Sequence, residues 1–334
     1  MTKIVAAASL TLLLAACSPQ APTGPASIAV FIPGTLQGSP TYELLDAGVR
    51  KAAAEVPGTT VKTIEGGFNQ AQWGEQIAQL ASEGQYRYIV TSNPAMPEIA
   101  DKAAQAYPQQ RFVILESYST NPSYATLAYD HRELAYLHGV LGGLIAADKK
   151  APPVLGLIAG QEYPDMNDAI VPGFEEGLKS VSPDGKVEFR VIGNWYDAAK
   201  GAELAKALFD QKVAVILPIA GGANQGVITA AKAAGRAVFS YDIDAYASEP
   251  GVIFGSGAIH QDKASYELVK AALAGTLAYG KPQVVGVKEG YIDYLTDSDA
   301  YRKLVPEAVR TKFEAVLADV KSGKLHLPMP LPKN

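Results

Sequence analysis

Short apolar runs alternate with amphipathic stretches along most of the chain. Residues 27–34, SIAVFIPG, are continuously apolar and read as a buried parallel strand that ends in a loop. The loop 34–42 feeds a helix, with Ser39 placed to cap it and Pro40 at its first position. Leu44, Leu45, Val49 and Ala53 then follow at helical spacing. Further strands are expected at 61–64, 86–91, 111–115 and 124–129, with helices at 71–81, 96–106 and 133–146. Gly139, Gly142 and Gly143 in the last of these helices suit close packing against a neighbour. The segment 148–153, DKKAPP, breaks the rhythm.

The same alternation then begins afresh. Strands are expected at 154–159, 187–192, 213–219, 237–241 and 252–254, and helices at 168–178, 198–209, 224–234 and 262–274. Two short strands, 284–287 and 291–295, flank Lys288, and a helix over 305–321 closes the pattern. Strand–helix alternation predicts a parallel sheet covered by helices, and its recurrence predicts two doubly wound α/β lobes. The terminal strand pair and last helix suit a chain that crosses again between the lobes.

The first residues read differently. Lys3 precedes an apolar run, 4–16, that is too short for a membrane span of about 20 residues and fits a signal peptide. It ends in Leu14-Ala15-Ala16-Cys17, which resembles the lipobox of bacterial lipoproteins. That resemblance implies cleavage after residue 16 and acylation of Cys17, giving a lipid-anchored protein of the cell envelope that faces the periplasm or exterior. Residues 18–26, SPQAPTGPA, cannot bury enough apolar surface to fold and read as a tether. Cys17 is the only cysteine, which excludes an intramolecular disulfide and a thiolate zinc cluster. The net charge of −5 and the absence of a Lys/Arg cluster argue against a nucleic-acid surface.

Candidate chemistry gathers at predicted strand ends. In open α/β sheets, ligands bind beyond the carboxyl ends of the strands. The strand 237–241 runs into Asp242 and Asp244, which period-two alternation places on one side of an extended segment. Such carboxylates accept hydrogen bonds from vicinal hydroxyls, or simply face solvent in a turn. Asn93 follows a strand, as either a donor to the ligand or ordinary Asn-Pro turn chemistry. Trp195 sits among Asn194, Tyr196 and Asp197 just past a strand. Gly221 and Gly222 permit close backbone approach, but neither a GxGxxG nor a Walker pattern is present. The four His form no obvious constellation, and no Gly-x-Ser-x-Gly elbow appears, so an enzyme is not expected.

Taken in order, VLGLIAGQEYPDMNDAIVPGFEEGL, VIGNWYDAAKGAELAKAL, AVILPIAGGANQGVITAAKAAG and the Asp-rich stretch resemble the basic membrane lipoprotein family. AYPQQRFVILES and YDHRELAYLHGVLGGLIA in the first half fit as well. The family includes purine nucleoside receptors of ABC importers. The resemblance implies a type I periplasmic binding protein, with two Rossmann-like lobes joined by a hinge of crossing strands. It also implies ligand held between the lobes, a permease and an ATPase as partners, and no cofactor. Residues 27–149 with about 261–287 would form the N-terminal lobe, and 150–260 with about 288–334 the C-terminal lobe. A monomer is expected.

Three departures from the family pattern matter. Gly38-Ser39-Pro40-Thr41-Tyr42-Glu43 replaces the expected base-reading loop, Glu116 stands where Asp is usual, and His260 replaces a Lys. Trp195, Asp197, Gly221, Gly222 and Asp242 match. The hydroxyl-binding side is thus kept and the ring-reading side rebuilt. A polyol on another ring system follows, and riboflavin fits, with Tyr42, Tyr118, Tyr163 or Trp195 stacking on its ring. GSPTYELLDAGV and YDHRE also resemble the riboflavin-binding branch of the family. A purine nucleoside is the alternative ligand, and a membrane-tethered sensor or adhesin is the alternative class. The expected ligand-binding set is Asp242, Trp195, Tyr42, Ser39, Asn93, Tyr118, Tyr163, Gly221, Asp244 and His260. Tyr42 packing under the first helix, Asp244 capping its own turn and His260 bonding structurally remain open.

Overall fold

The computed structural model describes residues 23–331. The expected signal peptide and Cys17 lie outside the described residues. Two six-stranded sheets are built on one plan. In the first, β1 (Ser27–Ile32), β2 (Thr60–Glu65), β3 (Tyr88–Ser92), β4 (Arg111–Leu115), β5 (Tyr124–Tyr129) and β11 (Gln283–Val285) lie in the order β11-β5-β4-β3-β1-β2, all parallel. In the second, β6 (Val154–Ala159), β7 (Lys186–Val191), β8 (Val215–Ile219), β9 (Ala237–Ser240), β10 (Ile253–Ile259) and β12 (Ile292–Tyr294) lie in the order β12-β10-β9-β8-β6-β7. Only β12 is antiparallel to its neighbour. The central strands are buried on both faces, which is why their sequences are apolar without alternation. Strand order reverses between β1 and β3, and again between β6 and β8, so each sheet opens a crevice at its strand carboxyl ends.

Helices α1 (Pro40–Ala54), α2 (Gln70–Ser82), α3 (Met96–Ala106) and α8 (Gln261–Leu273) flank the first sheet. Helices α4 (His131–Asp148), α5 (Val171–Val181), α6 (Ala198–Asp210), α7 (Asn224–Ala234), α9 (Asp299–Leu304) and α10 (Glu307–Lys321) belong with the second. The placement of α4 corrects the expected lobe boundary at 149–150. Helix α4 packs on α5, where a Cβ on Gly139 would stand 2.1 Å from Phe174 O and one on Gly177 2.1 Å from Tyr136 O. The three glycines of α4 therefore serve the second lobe, and the chain first crosses near Asp130. The lone apolar pattern of α4 could not reveal this, because a helix covered by either lobe reads alike.

Other departures are local. Gly24 N donates to Leu273 O and Thr60 N donates to Ala26 O, so the end of the expected 17–26 tether is already tied to the first lobe. The expected 305–321 helix is present as α10 but starts at Glu307, with Pro306 just before it, and a separate short helix, α9, precedes it. The two C-terminal strands do not pair with each other. Strand β11 extends the first sheet and β12 the second, so the segment between them is the third crossing.

Three crossings form the hinge: 129–131, 259–261 and 285–292. They are laced together by Asp130 N to Val285 O (2.8 Å), His260 N to Tyr291 O (2.9 Å) and Val287 N to Glu133 Oε2 (2.9 Å). Asp130 Oδ1 also caps α4, accepting from Arg132 N and Glu133 N.

Candidate functional site: the interlobe cleft

The crevices of the two sheets face each other across the hinge. From the first lobe come the loop before α1, the ends of β3 and β4, and the start of α8. From the second come the loops after β6, β7, β8 and β9. Glu116 follows β4 directly and adopts a left-handed backbone, φ 53°, unusual for a residue with a Cβ. Burial pushes its carboxyl up to about 8, with the negative charges of Asp242 and Asp165 adding to the effect. A hydrogen bond from Gln261 opposes the rise. Asp242 is also raised, chiefly by burial, although Thr41 Oγ1 donates to its Oδ2 at 3.3 Å from the opposite lobe. Asp165 is raised by burial as well, against the pull of His131.

The second sheet supplies a supporting wall. His131 Nδ1 lies 3.1 Å from Tyr241 Oη, and their rings stack at 6.0 Å. Burial keeps the His131 imidazole below its ordinary range. Tyr163 and Trp195 approach to 6.1 Å between ring centroids. The Trp195 ring covers Gly160, where an added Cβ would stand 2.5 Å from Cε3. Tyr42 lies deep between the lobes; burial and the Glu116 charge raise its phenol, and a side-chain hydrogen bond with Asn93 opposes them. At the exposed rim, Phe68 of the first lobe meets Tyr196 of the second at 5.9 Å. This pair and the Thr41–Asp242 bond show the lobes drawn together.

The sequence-expected residues divide. Asp242, Tyr42, Asn93, Tyr163 and Trp195 converge on the cleft. Gly221 (φ 56°) backs Trp195, whose carbonyl would lie 3.1 Å from its Cβ. Ser39 caps α1 through its backbone carbonyl only, with no side-chain bond. Tyr118 is half-buried in the β4–β5 loop. His260 contributes backbone bonds at the second crossing, from its N to Tyr291 O and from Ala264 N to its O.

Asp244 corrects the expected acidic pair. Strand β9 ends at Ser240, so period-two alternation does not extend to 242–244. Asp244 is exposed and accepts from Tyr246 N at 3.0 Å, an Asx turn. It lines a separate surface depression of about 340 Å³ with Asp293 and Lys321. Asp197 likewise caps its own helix, accepting from Lys200 N. Thr41, His131, Asp165, Gln261, Phe68 and Tyr196 were missing from the expected set. In the sequence Glu116 stands out only as a departure from the family pattern, although its place at a strand's carboxyl end is the available signal.

Two doubly wound lobes of matching topology, a three-crossing hinge and a carboxylate-and-aromatic cleft between them define a type I periplasmic-type solute-binding protein. Residues 26–325 match the Bmp family model, and the chain belongs to this family of PnrA-like ABC transporter substrate-binding proteins. It is 27% identical over 288 residues to a purine-binding protein of Brucella abortus, covering 83% of this chain and 76% of that one. It is 30% identical over 154 residues to an ABC transporter nucleoside-binding protein of Lactococcus lactis, a match spanning 46% of this chain and 42% of that relative. Among solved structures, an ABC transporter solute-binding protein of Aeropyrum pernix superposes with TM-score 0.78 at 20% identity, over 92% of this chain and 94% of that one. A transcriptional activator of Bacillus halodurans follows the same fold, with TM-score 0.71 at 21% identity over 90% and 99% of the two chains. At such identities the likeness is one of fold.

Proposed function

We propose that this protein captures a flat heteroaromatic ring carrying a hydroxylated chain and presents it to an ABC importer, with riboflavin as the ligand. The carrying observation is the pairing of Asp242 with a long aromatic wall. Asp242 and Thr41 offer acceptor and donor for hydroxyls from opposite lobes. Tyr42, Tyr163 and Trp195 offer faces within the cleft, and Phe68 and Tyr196 extend them to the rim. A three-ring system uses such a wall more fully than a purine. A purine nucleoside is the second reading, favoured by what the Brucella and Lactococcus relatives are named for binding.

The protein holds and releases its ligand without transforming it. Open lobes admit the ligand, closure buries the ring, and the permease reads the closed form. Anchoring through Cys17 would keep the protein at the envelope membrane. Titration of riboflavin, inosine and adenosine by calorimetry tests the assignment. Riboflavin heat is expected; tight nucleoside binding without it would transfer the assignment to the second reading.

A further inference from the structure

We propose that the amino-terminal end of the first sheet is a seat for phospholipid headgroups, holding the first lobe against the membrane through the phosphates of anionic lipids. The inference is independent of the ligand in the cleft and rests on anchoring through Cys17.

All strands of the first sheet run parallel, so their amino ends lie together at the end of the lobe opposite the cleft. There a depression of about 1100 Å³ opens between the starts of β1, β3 and β4 and the end of α8. Small-molecule sites run to roughly 300–1,000 Å³, so a headgroup fits. Arg87, just before β3, and Arg111, at the start of β4, line it, and no Asp or Glu does. Glu83 stands outside the lining, where it accepts from Gln85 Nε2. Neither arginine enters an ion pair among the described residues. Arg87 Nη1 donates to Gly24 O at 3.2 Å and Arg111 Nη1 to Pro108 O at 3.1 Å. Each guanidinium keeps further N–H groups, in a fork that suits phosphate oxygens. In a chain of net charge −5, two arginines without a lining carboxylate are a local reversal of sign.

The rest of the lining suits a membrane interface. Tyr86, Tyr88, Tyr107 and Tyr279 contribute to it, and the Arg111 guanidinium lies 5.4 Å from the centre of the Tyr279 ring. Tyrosine, with an apolar face and a polar edge, gathers at headgroup level. The chain also enters the lobe here. Gly24 N donates to Leu273 O, and Pro25 forms part of the rim. Gly24 is seven positions after Cys17, a reach of at most about 25 Å. An acyl anchor on Cys17 therefore keeps this end of the first lobe beside the bilayer, and the cleft opens at the other end. Dissolved phosphate offers the same chemistry to the arginines, but the anchor brings lipid to them.

The test places an environment-sensitive fluorophore in the depression through Gln109→Cys, at an exposed lining residue. The full chain is reconstituted in vesicles of phosphatidylcholine or of phosphatidylglycerol, and an aqueous quencher is added. The chain without the new cysteine gives the background from Cys17. Quenching at position 109 should fall at least about threefold in phosphatidylglycerol, because anionic headgroups attract the arginines. The same label at Glu203→Cys, on the exposed side of α6 in the second lobe, should not respond. Arg87→Gln with Arg111→Gln should restore quenching while the chain still floats with the vesicles. Molar salt should restore it in the unsubstituted arginine background, which carries the test even where the double variant does not fold. Equal quenching in the two vesicles, or equal protection at 203, would overturn the seat. Protection by inorganic phosphate in phosphatidylcholine vesicles, as large as that by phosphatidylglycerol, would assign the arginines to dissolved phosphate instead and overturn it too. A chain that floats with neither vesicle refutes the anchor and the seat together, whereas one that floats but is quenched alike refutes the seat alone.

Discussion

Thr41 Oγ1 donates to Asp242 Oδ2 at 3.3 Å, joining residues 201 positions apart on different lobes. The bond places a carboxylate at the end of the second sheet against the first turn of α1, where a ligand hydroxyl can replace or share the Thr41 contact. Asp242→Ala should weaken ligand binding by roughly 10- to 100-fold, the usual cost of leaving a buried hydrogen-bonding group without its partner. Thr41→Ala should cost only a few-fold, because Asp242 remains. Calorimetric titration checks both, and unchanged affinity in D242A would remove Asp242 from the site.

The rim pair predicts a kinetic effect. Phe68 and Tyr196 are both about two-thirds exposed, at 65% and 64%, so neither anchors a core. Their contact exists only while the lobes are together. An aromatic pair contributes about 0.5–1.5 kcal/mol, so Phe68→Ala should speed ligand dissociation by roughly 2- to 10-fold. Stopped-flow displacement measures this, with little change in thermal stability expected.

Glu116 should make the free protein less stable in alkali. Its folded pKa of about 8 lies above its ordinary value of 4.5. The folded state therefore binds more protons than the unfolded state between these values, and the stabilisation is lost as pH rises from about 4.5 through 8. Urea unfolding of E116Q should show a flatter pH profile across this window. The same slope in wild type and variant would refute the assignment.

His138 should act in the opposite direction. Its ring is fully buried between Leu134 O (2.9 Å) and Ser240 O (3.0 Å), and burial lowers its pKa to about 4. The unfolded state binds the extra proton first, so stability is lost as pH falls from about 6.5 through 4. His138→Phe, placed among Phe239, Tyr241 and Tyr294, should reduce that slope by up to about 1.4 kcal/mol per pH unit. Urea midpoints at several pH values between these limits provide the measurement.

The α4–α5 contact predicts a stability loss far from the ligand. Gly139→Ala would drive a methyl to 2.1 Å from a backbone carbonyl, which a rotamer change cannot relieve. A loss of about 1–3 kcal/mol is expected, seen as a lower unfolding midpoint. Ligand affinity per folded molecule should be kept.

Much of the architecture was legible because burial writes itself into local pattern. Several elements match their expected bounds residue for residue, including α3, β4, β5, β6 and α7. The family also followed from segments whose order spans both lobes. The site was legible only where one residue combined a strand end with suitable chemistry, as at Asp242 and Asn93. Asp244 misled because its neighbour's geometry was extended past the end of a strand. Gln261 was invisible because a glutamine opening a helix is ordinary until Ser92, Glu116 and Tyr129 are found around it.

Local periodicity thus sufficed for the strands, the helices and the duplication, since the hydrophobic effect acts on each segment's own apolar positions. Three matters were decided only in three dimensions: the lobe that claims α4, the sheet that receives each terminal strand, and the carboxyls that share one cleft. Each depends on groups far apart in the chain. A carboxyl's proton in particular answers to burial and to neighbouring charge, and Glu116 acquires both only when the two lobes meet.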